Sequence, residues 1–135
     1  ELLDADKVIE VRAYHTVDGI WKYFTADDGQ IDLNRRSYLM ITTLDAYAKI
    51  REYYGASQAL AVYIEVEDGL RLERALLRER MQPEPNYAEL CRRFLADAED
   101  FSEEKLMAAG IKKRFCNNSL KQVCEETAAY IRSFL

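Results

Sequence analysis

The chain has 135 residues, 49% hydrophobic and 32% charged, a composition typical of a single globular domain. A formal net charge of −5 disfavours nucleic-acid polymers and anionic membranes as partners, and no apolar run approaches the ~20 residues of a membrane-spanning helix. Three cysteines without a CxxC pair indicate neither a disulfide framework nor a zinc site, so a cytoplasmic location is the simplest expectation.

The beginning of the chain predicts a β-hairpin. Polar and apolar side chains alternate from Val8 to Tyr14, which places Glu10 and Arg12 on one face of a strand. Asp18-Gly19 favours a tight turn, because Gly tolerates positive φ. Ile20 to Thr25 would then form the return strand, and the polar face of the first strand would be open to a ligand.

The middle of the chain predicts a βαβ unit. The apolar runs Tyr38–Thr42 and Leu60–Ile64 suit strands that are buried on both faces, as in parallel sheets. Between them, Leu44 to Tyr54 has a helical pattern that ends at Gly55, a favourable C-terminal cap. Strand, helix and strand in this order indicate a parallel crossover.

The rest of the chain predicts helices and one short strand. Asp68 is the expected N-cap of the first of these helices, and Asn86 opens the next in a capping-box pattern. A short helix is expected between Ser102 and Gly110, followed by a strand at Lys113–Cys116. Ser119 would cap the last helix, whose apolar stripe predicts a buried side.

Arginines cluster in the middle of this acidic chain, a pattern that suits a small phosphorylated ligand better than a long polyanion. They are Arg71, Arg74, Arg78, Arg80, Arg92 and Arg93. Arg71, Arg74 and Arg78 recur at helical spacing, and this stripe predicts a solvated helix face paired with Glu73 and its neighbours more strongly than a ligand site. Arg80 and Arg93 instead flank the break at Pro83 to Pro85.

Four stretches occur together in the order and rough spacing found in guanylate kinases. They are Val8-Ile9-Glu10, Tyr23-Phe24-Thr25, the run from Leu72 through Arg80 to Arg92-Arg93-Phe94, and Phe115-Cys116-Asn117-Asn118-Ser119-Leu120. The chain therefore resembles this family over essentially its whole length. The resemblance implies an α/β fold of the P-loop nucleotide kinase type, with a parallel sheet, flanking helices and a small β segment that binds GMP.

The resemblance also implies a division of the chain. Residues 1–135 would form one partial guanylate kinase-like domain. Within it we expect a GMP-binding β segment at 8–36, a core βαβ unit at 37–68, a lid with flanking helices at 69–101, and a C-terminal core strand and helix at 102–135.

Members of this family transfer a phosphoryl group from ATP to GMP with Mg²⁺, giving ADP and GDP. The resemblance implies that Glu10 accepts hydrogen bonds from guanine N1 and N2. It implies that Tyr23 contacts the GMP phosphate and that Thr25 contacts the guanine carbonyl. A carboxylate on an exposed strand face suits this role, because it can accept from both donors at once.

The same resemblance assigns three residues to the second half of the site. Arg80 and Arg93 match the lid arginines that clamp the phosphates, a catalytic role because negative charge spreads over the phosphoryl oxygens in the transition state. Asn117 is expected near the adenine of ATP. No side chain of this chain is expected to bind Mg²⁺, which would arrive with ATP in the full-length parent.

Two departures from the family limit this expectation. Ile41 and Thr43 stand where the family has two aspartates, and G-x-x-x-x-G-K-[ST] does not occur in the chain. The family's P-loop strand would lie before Glu1, so we expect the chain alone to be inactive and to self-associate or pair with that segment. A catalytically inactive guanylate kinase-like binding or scaffold module is the main alternative, and an α/β domain without a retained ligand is the third.

Overall fold

The computed structural model describes residues 7–135, which form a mixed α/β fold with small sheets and five helices. The elements are β1 (Val8–Thr16), β2 (Gly19–Ala26), α1 (Leu44–Tyr54), β3 (Tyr63–Glu65), α2 (Asp68–Arg80), α3 (Tyr87–Asp100), α4 (Glu103–Ala108), β4 (Arg114–Cys116) and α5 (Leu120–Arg132). The chain divides into two compact units, one ending at Leu60 and the other running from Ala61 to Leu135.

The first unit is built on the predicted hairpin, in which β1 and β2 pair antiparallel. Gly19 has φ of 115°, a value that side chains with a Cβ disfavour, so the Asp-Gly prediction of a tight turn is confirmed. Thr16 strengthens the turn, because its hydroxyl donates to the Gly19 carbonyl at 2.9 Å. An irregularity between Val8 and Glu10 sets the register so that Glu10 faces Thr25.

Helix α1 is also confirmed and packs against β1. Thr43 is its N-cap and accepts a hydrogen bond from the Ala46 N–H at 3.4 Å. Gly55 ends the helix with φ of 96°, and its N–H donates to the Arg51 carbonyl. Leu44, the first residue of the helix, is buried.

The strand predicted at Tyr38–Thr42 is wrong, since this segment has no regular structure. Leu39 is 85% exposed and Ile41 is fully exposed. A continuous apolar run forms a central strand only where neighbouring strands pair with it and both of its faces are covered. Within residues 7–135 no strand pairs with this segment. The second predicted strand of the βαβ unit is present, but it lies at Tyr63–Glu65 instead of Leu60–Ile64.

The second unit contains the parallel strand pair, in which Ile64 of β3 faces Phe115 of β4. The predicted strand near Lys113–Cys116 is thereby confirmed as β4. The buried apolar side chains of the second unit lie on α3, α4, β4, α5 and the loop before β4. They are Leu90, Leu106, Ile111, Phe115 and Val123. The apolar stripe of the last helix also predicts that Val123 and Cys124 are both buried. Val123 is buried, but Cys124 is exposed, so the prediction is wrong for Cys124.

The helix caps correct one prediction and confirm two. Glu67, not Asp68, caps α2, because its carboxylate accepts from the N–H groups of both Gly69 and Leu70. These two hydrogen bonds hold the pKa of Glu67 below its ordinary value. Asn86 and Ser119 cap α3 and α5 as predicted.

Part of the arginine stripe on α2 makes tertiary contacts. The Arg71 guanidinium lies 4.0 Å from the centroid of the Phe94 ring on α3, and Arg74 donates to the Asn117 carbonyl at 2.9 Å. The prediction of a solvated stripe therefore holds only in part for these two residues. Arg71 pairs with Asp68 one turn away, but both arginines also reach neighbouring elements of the unit. Arg78 is exposed, as predicted.

We expect Leu106→Ala to lower the free energy of unfolding by about 2–5 kcal/mol, because Leu106 is only 1% exposed and its loss leaves a cavity. Leu120→Ala is the matched control on an exposed side chain and should cost less than about 1 kcal/mol. Urea denaturation followed by circular dichroism measures both, and equal losses would contradict the assigned core.

Candidate functional site

A hydrogen-bonded group of polar side chains surrounds the carboxylate of Glu10 within residues 7–60. The Glu10 side chain is only 3% exposed, so the prediction that its carboxylate lies on an exposed strand face is wrong. Its Oε2 accepts from Arg12 Nε at 2.8 Å, and its Oε1 accepts from Arg12 Nη2 at 3.2 Å. The Thr25 hydroxyl donates to Oε1 at 2.7 Å from the opposite strand. Two parallel N–H donors from one planar group thus span both carboxylate oxygens, the geometry of a bidentate ion pair.

Arg12 extends this network towards α1. Its Nη1 donates at 3.0 Å to the hydroxyl of Thr43, the same oxygen that caps the helix. Partial burial lowers the pKa of Arg12, but its hydrogen bonds to Glu10 and Tyr14 and the negative charge of the Glu10 carboxylate outweigh this and raise the pKa above its ordinary value. The guanidinium therefore stays charged. We call Glu10, Arg12, Thr25 and Thr43 the Glu10 cluster.

The hairpin register brings the predicted GMP-binding residues onto one face. Glu10 faces Thr25, and Arg12 faces Tyr23. The Arg12 guanidinium carbon lies 6.0 Å from the centroid of the Tyr23 ring, which also packs edge-on against Tyr14. Tyr23 remains 46% exposed, so its ring borders the cluster and is open to solvent.

Two members of the cluster had no role in the sequence-based site. Arg12 could have been found, because it lies two residues after Glu10 on the same polar face of a strand. Thr43 also had a signal, since a Thr immediately before a helical pattern is a favoured N-cap. What the sequence did not provide is the hydrogen bond between them, which joins residues 31 positions apart.

The predicted lid arginines lie in the second unit, where α2 packs against α3. Arg80 is the exposed last residue of α2, and in the described chain its side chain makes no hydrogen bond or ion pair. Arg93 is half-exposed, with Nη2 3.7 Å from a carboxylate oxygen of Glu79. Glu79 also accepts from the Asn86 N–H at 2.6 Å, so this carboxylate fixes the corner between the two helices.

Asn117, the predicted adenine contact, follows β4 directly. Its N–H donates to the Glu65 carbonyl at 2.9 Å, and its own carbonyl accepts from Arg74. Asn117 thus lies at the carboxyl ends of two parallel strands. In open α/β sheets this edge is where ligands commonly bind.

A separate cavity of about 390 Å³ opens in the first unit. It is lined by Gly29, Ile31, Asp32, Leu33, Asn34 and Tyr54, none of which belongs to the Glu10 cluster. The Tyr54 hydroxyl is buried without a hydrogen-bond partner in the described structure. Burial raises the pKa of Tyr54, and the carboxylates of Asp27 and Asp28 raise it further.

Residues 7–135 contain no group of three or more His, Cys, Asp or Glu side chains placed to hold a metal ion. The Mg²⁺ that the resemblance implies stays an expectation. Of the helices described, none is long and apolar enough to cross a membrane.

No protein-family model matches this chain. Comparisons with curated proteins and with solved structures likewise find no match.

We expect Thr43→Val to lower the free energy of unfolding by about 1 kcal/mol, since it removes both the N-cap of α1 and an acceptor of Arg12. Thr42→Val is the matched control, because the Thr42 side chain makes no hydrogen bond within residues 7–135. Thermal denaturation compares the two variants. Equal stability of both would contradict the role assigned to Thr43.

Proposed function

We propose that the Glu10 cluster binds the guanine of GMP, and that the chain is a portion of a guanylate kinase-like enzyme that transfers a phosphoryl group from ATP to GMP. The supporting observation is that both oxygens of the Glu10 carboxylate accept from one coplanar pair of N–H donors. The proposal extends to the P-loop kinase type of fold that the resemblance implies.

Guanine presents such a donor pair, because its N1–H and one N2–H point in parallel from the same edge. An ionised carboxylate has only acceptors, so it matches both donors. Adenine presents an acceptor at N1 beside its amino group, and a carboxylate would face that acceptor with a lone pair. Glu10 therefore favours guanine over adenine, with most of the discrimination arising from this unmatched acceptor.

Thr25 and Tyr23 complete the proposed acceptor site. The Thr25 hydroxyl, which donates to Glu10 at 2.7 Å, can rotate to donate to the guanine carbonyl instead. The Tyr23 ring borders the cluster on the same face of the hairpin, and we assign its hydroxyl to the GMP phosphate. Both roles follow the expectations from the resemblance.

Arg80, Arg93 and Asn117 keep in this proposal the roles that the resemblance implies. Arg80 presents an exposed guanidinium that suits a phosphate ligand. Arg93 would have to exchange its 3.7 Å contacts with Glu79 and Glu89 for a contact with phosphate. Asn117 would lie near the adenine of ATP. Phosphoryl transfer also needs the P-loop Lys and Ser/Thr with Mg²⁺, so we assign transfer to the parent and expect this chain alone to be inactive.

The second candidate is a catalytically inactive guanylate kinase-like binding module. It is favoured by the residue at position 43, where the resemblance implies an aspartate. The Thr43 hydroxyl caps α1 and accepts from Arg12, so it serves the hairpin and the helix. Ile41, at the other replaced aspartate, is fully exposed and offers no polar group.

We expect GMP to bind this chain more tightly than AMP in calorimetric titrations. Glu10→Ala should weaken GMP binding by about 10- to 100-fold, because hydrogen bonds to a charged group are worth about 1.5–3 kcal/mol. Glu52→Ala, on an exposed glutamate of α1, is the matched control and should bind as the wild type does.

Circular dichroism establishes that each variant is folded before titration. Absence of GMP binding by the folded wild type would contradict the kinase proposal and favour the binding module. Equal binding of GMP and AMP would contradict the role of Glu10.

A further inference from the structure

Arg12 is hydrogen-bonded to the Glu10 carboxylate, the same group that the proposed function assigns to guanine. Its Nε and Nη2 donate to the two oxygens of Glu10 at 2.8 and 3.2 Å, and the Thr25 hydroxyl completes the set at 2.7 Å. With these three donors in place, the Glu10 side chain is 3% exposed. A base therefore has no access to the carboxylate while the ion pair is intact.

The guanidinium and the edge of guanine have the same hydrogen-bonding pattern. Each is planar, and each presents two parallel N–H donors to one carboxylate. We infer that Arg12 is an internal competitor for the guanine-binding carboxylate of Glu10, and that a base binds only when the Arg12 side chain turns away. This inference rests on the proposed function and concerns the selectivity and affinity of the same site.

The surroundings of the Arg12 side chain allow it to move away from the Glu10 carboxylate and to return. Its side chain is 22% exposed, far more than that of Glu10, so one side of the guanidinium already meets solvent. Nη1 donates to the Thr43 hydroxyl at 3.0 Å, a neutral acceptor. The Tyr23 ring, 6.0 Å away, offers a face against which the displaced guanidinium can rest.

A competitor of this kind has a distinctive thermodynamic signature. Every ligand of Glu10 must first break the same ion pair, so the apparent affinity of each is reduced by the same factor. Removing the competitor should therefore tighten all of them equally and leave their ratio unchanged. A residue that contacted the base directly would instead change the ratio between bases that differ in one donor.

The test uses guanosine and inosine, which lack the phosphate that the charge of Arg12 would attract. Inosine retains N1–H but has no 2-amino group. The Arg12→Lys variant keeps the positive charge but loses the two parallel N–H donors of the guanidinium. We expect it to bind both nucleosides about tenfold more tightly in NMR titrations of the 135-residue chain. Arg36→Lys is the matched control, since Arg36 pairs with Tyr38 and makes no recorded contact with Glu10.

Unchanged or weaker guanosine binding by folded Arg12→Lys would overturn the inference and leave the proposed function standing. So would a change in the guanosine-to-inosine ratio greater than about twofold, or equal tightening in Arg36→Lys. If neither the wild type nor Arg12→Lys binds either nucleoside or GMP, the proposed function fails, and the inference fails with it.

A second measurement needs no variant, which matters if Arg12→Lys does not fold. The Arg12 Nε–H resonance of the wild type should move to the position of an exposed arginine as guanosine saturates the chain. A resonance that stays in place while other signals of the hairpin report binding would show that Arg12 remains on Glu10, and the inference would be wrong.

Discussion

A carboxylate removed from water requires a positive partner, and in the first unit this requirement organises the hairpin. The Glu10 side chain is almost completely buried, and an ionised carboxylate without a partner would be costly at such a site. Arg12 supplies the charge from two residues away on the same face, and Thr25 adds a hydroxyl from the opposite strand. The registers of β1 and β2 are therefore coupled to the satisfaction of one carboxylate.

The same requirement connects the hairpin to α1. Arg12 has more donors than Glu10 can accept, and its remaining Nη1 reaches the Thr43 hydroxyl. Because that hydroxyl also receives the Ala46 N–H, one oxygen joins the start of the helix to the polar face of the strand. A ligand that displaced Arg12 from Glu10 would thus act on the helix start as well as on the strand pair. In the second unit Glu79 has a comparable position, since it accepts from Asn86 and lies near Arg93 at the corner between α2 and α3.

Local signals predicted the local structure well. The turn at Gly19, the cap at Gly55 and the N-caps at Asn86 and Ser119 each depend on a few neighbouring residues, and each is confirmed. The failures concern long-range partners. An apolar run at Tyr38–Thr42 resembles a buried strand, but only other strands can make it one, and none in the described chain pairs with it.

In the candidate site, too, local sequence signals predicted the position of residues but not their long-range contacts. The alternation of the first strand placed Glu10 on a polar face, and the turn placed Tyr23 and Thr25 across from it. The occupation of the carboxylate by Arg12 depends on side-chain rotamers and on Thr43, information that the periodicity of a strand does not contain. The guanine-binding role remains a proposal, which the family resemblance suggests and the donor geometry supports.

The decisive experiment is a structure of the 135-residue chain determined with GMP. We expect guanine N1 and N2 to lie within hydrogen-bonding distance of the Glu10 carboxylate, with the Arg12 guanidinium turned away from it. GMP bound elsewhere, or guanine stacked on the hairpin while Arg12 still spans both oxygens of Glu10, would contradict this expectation.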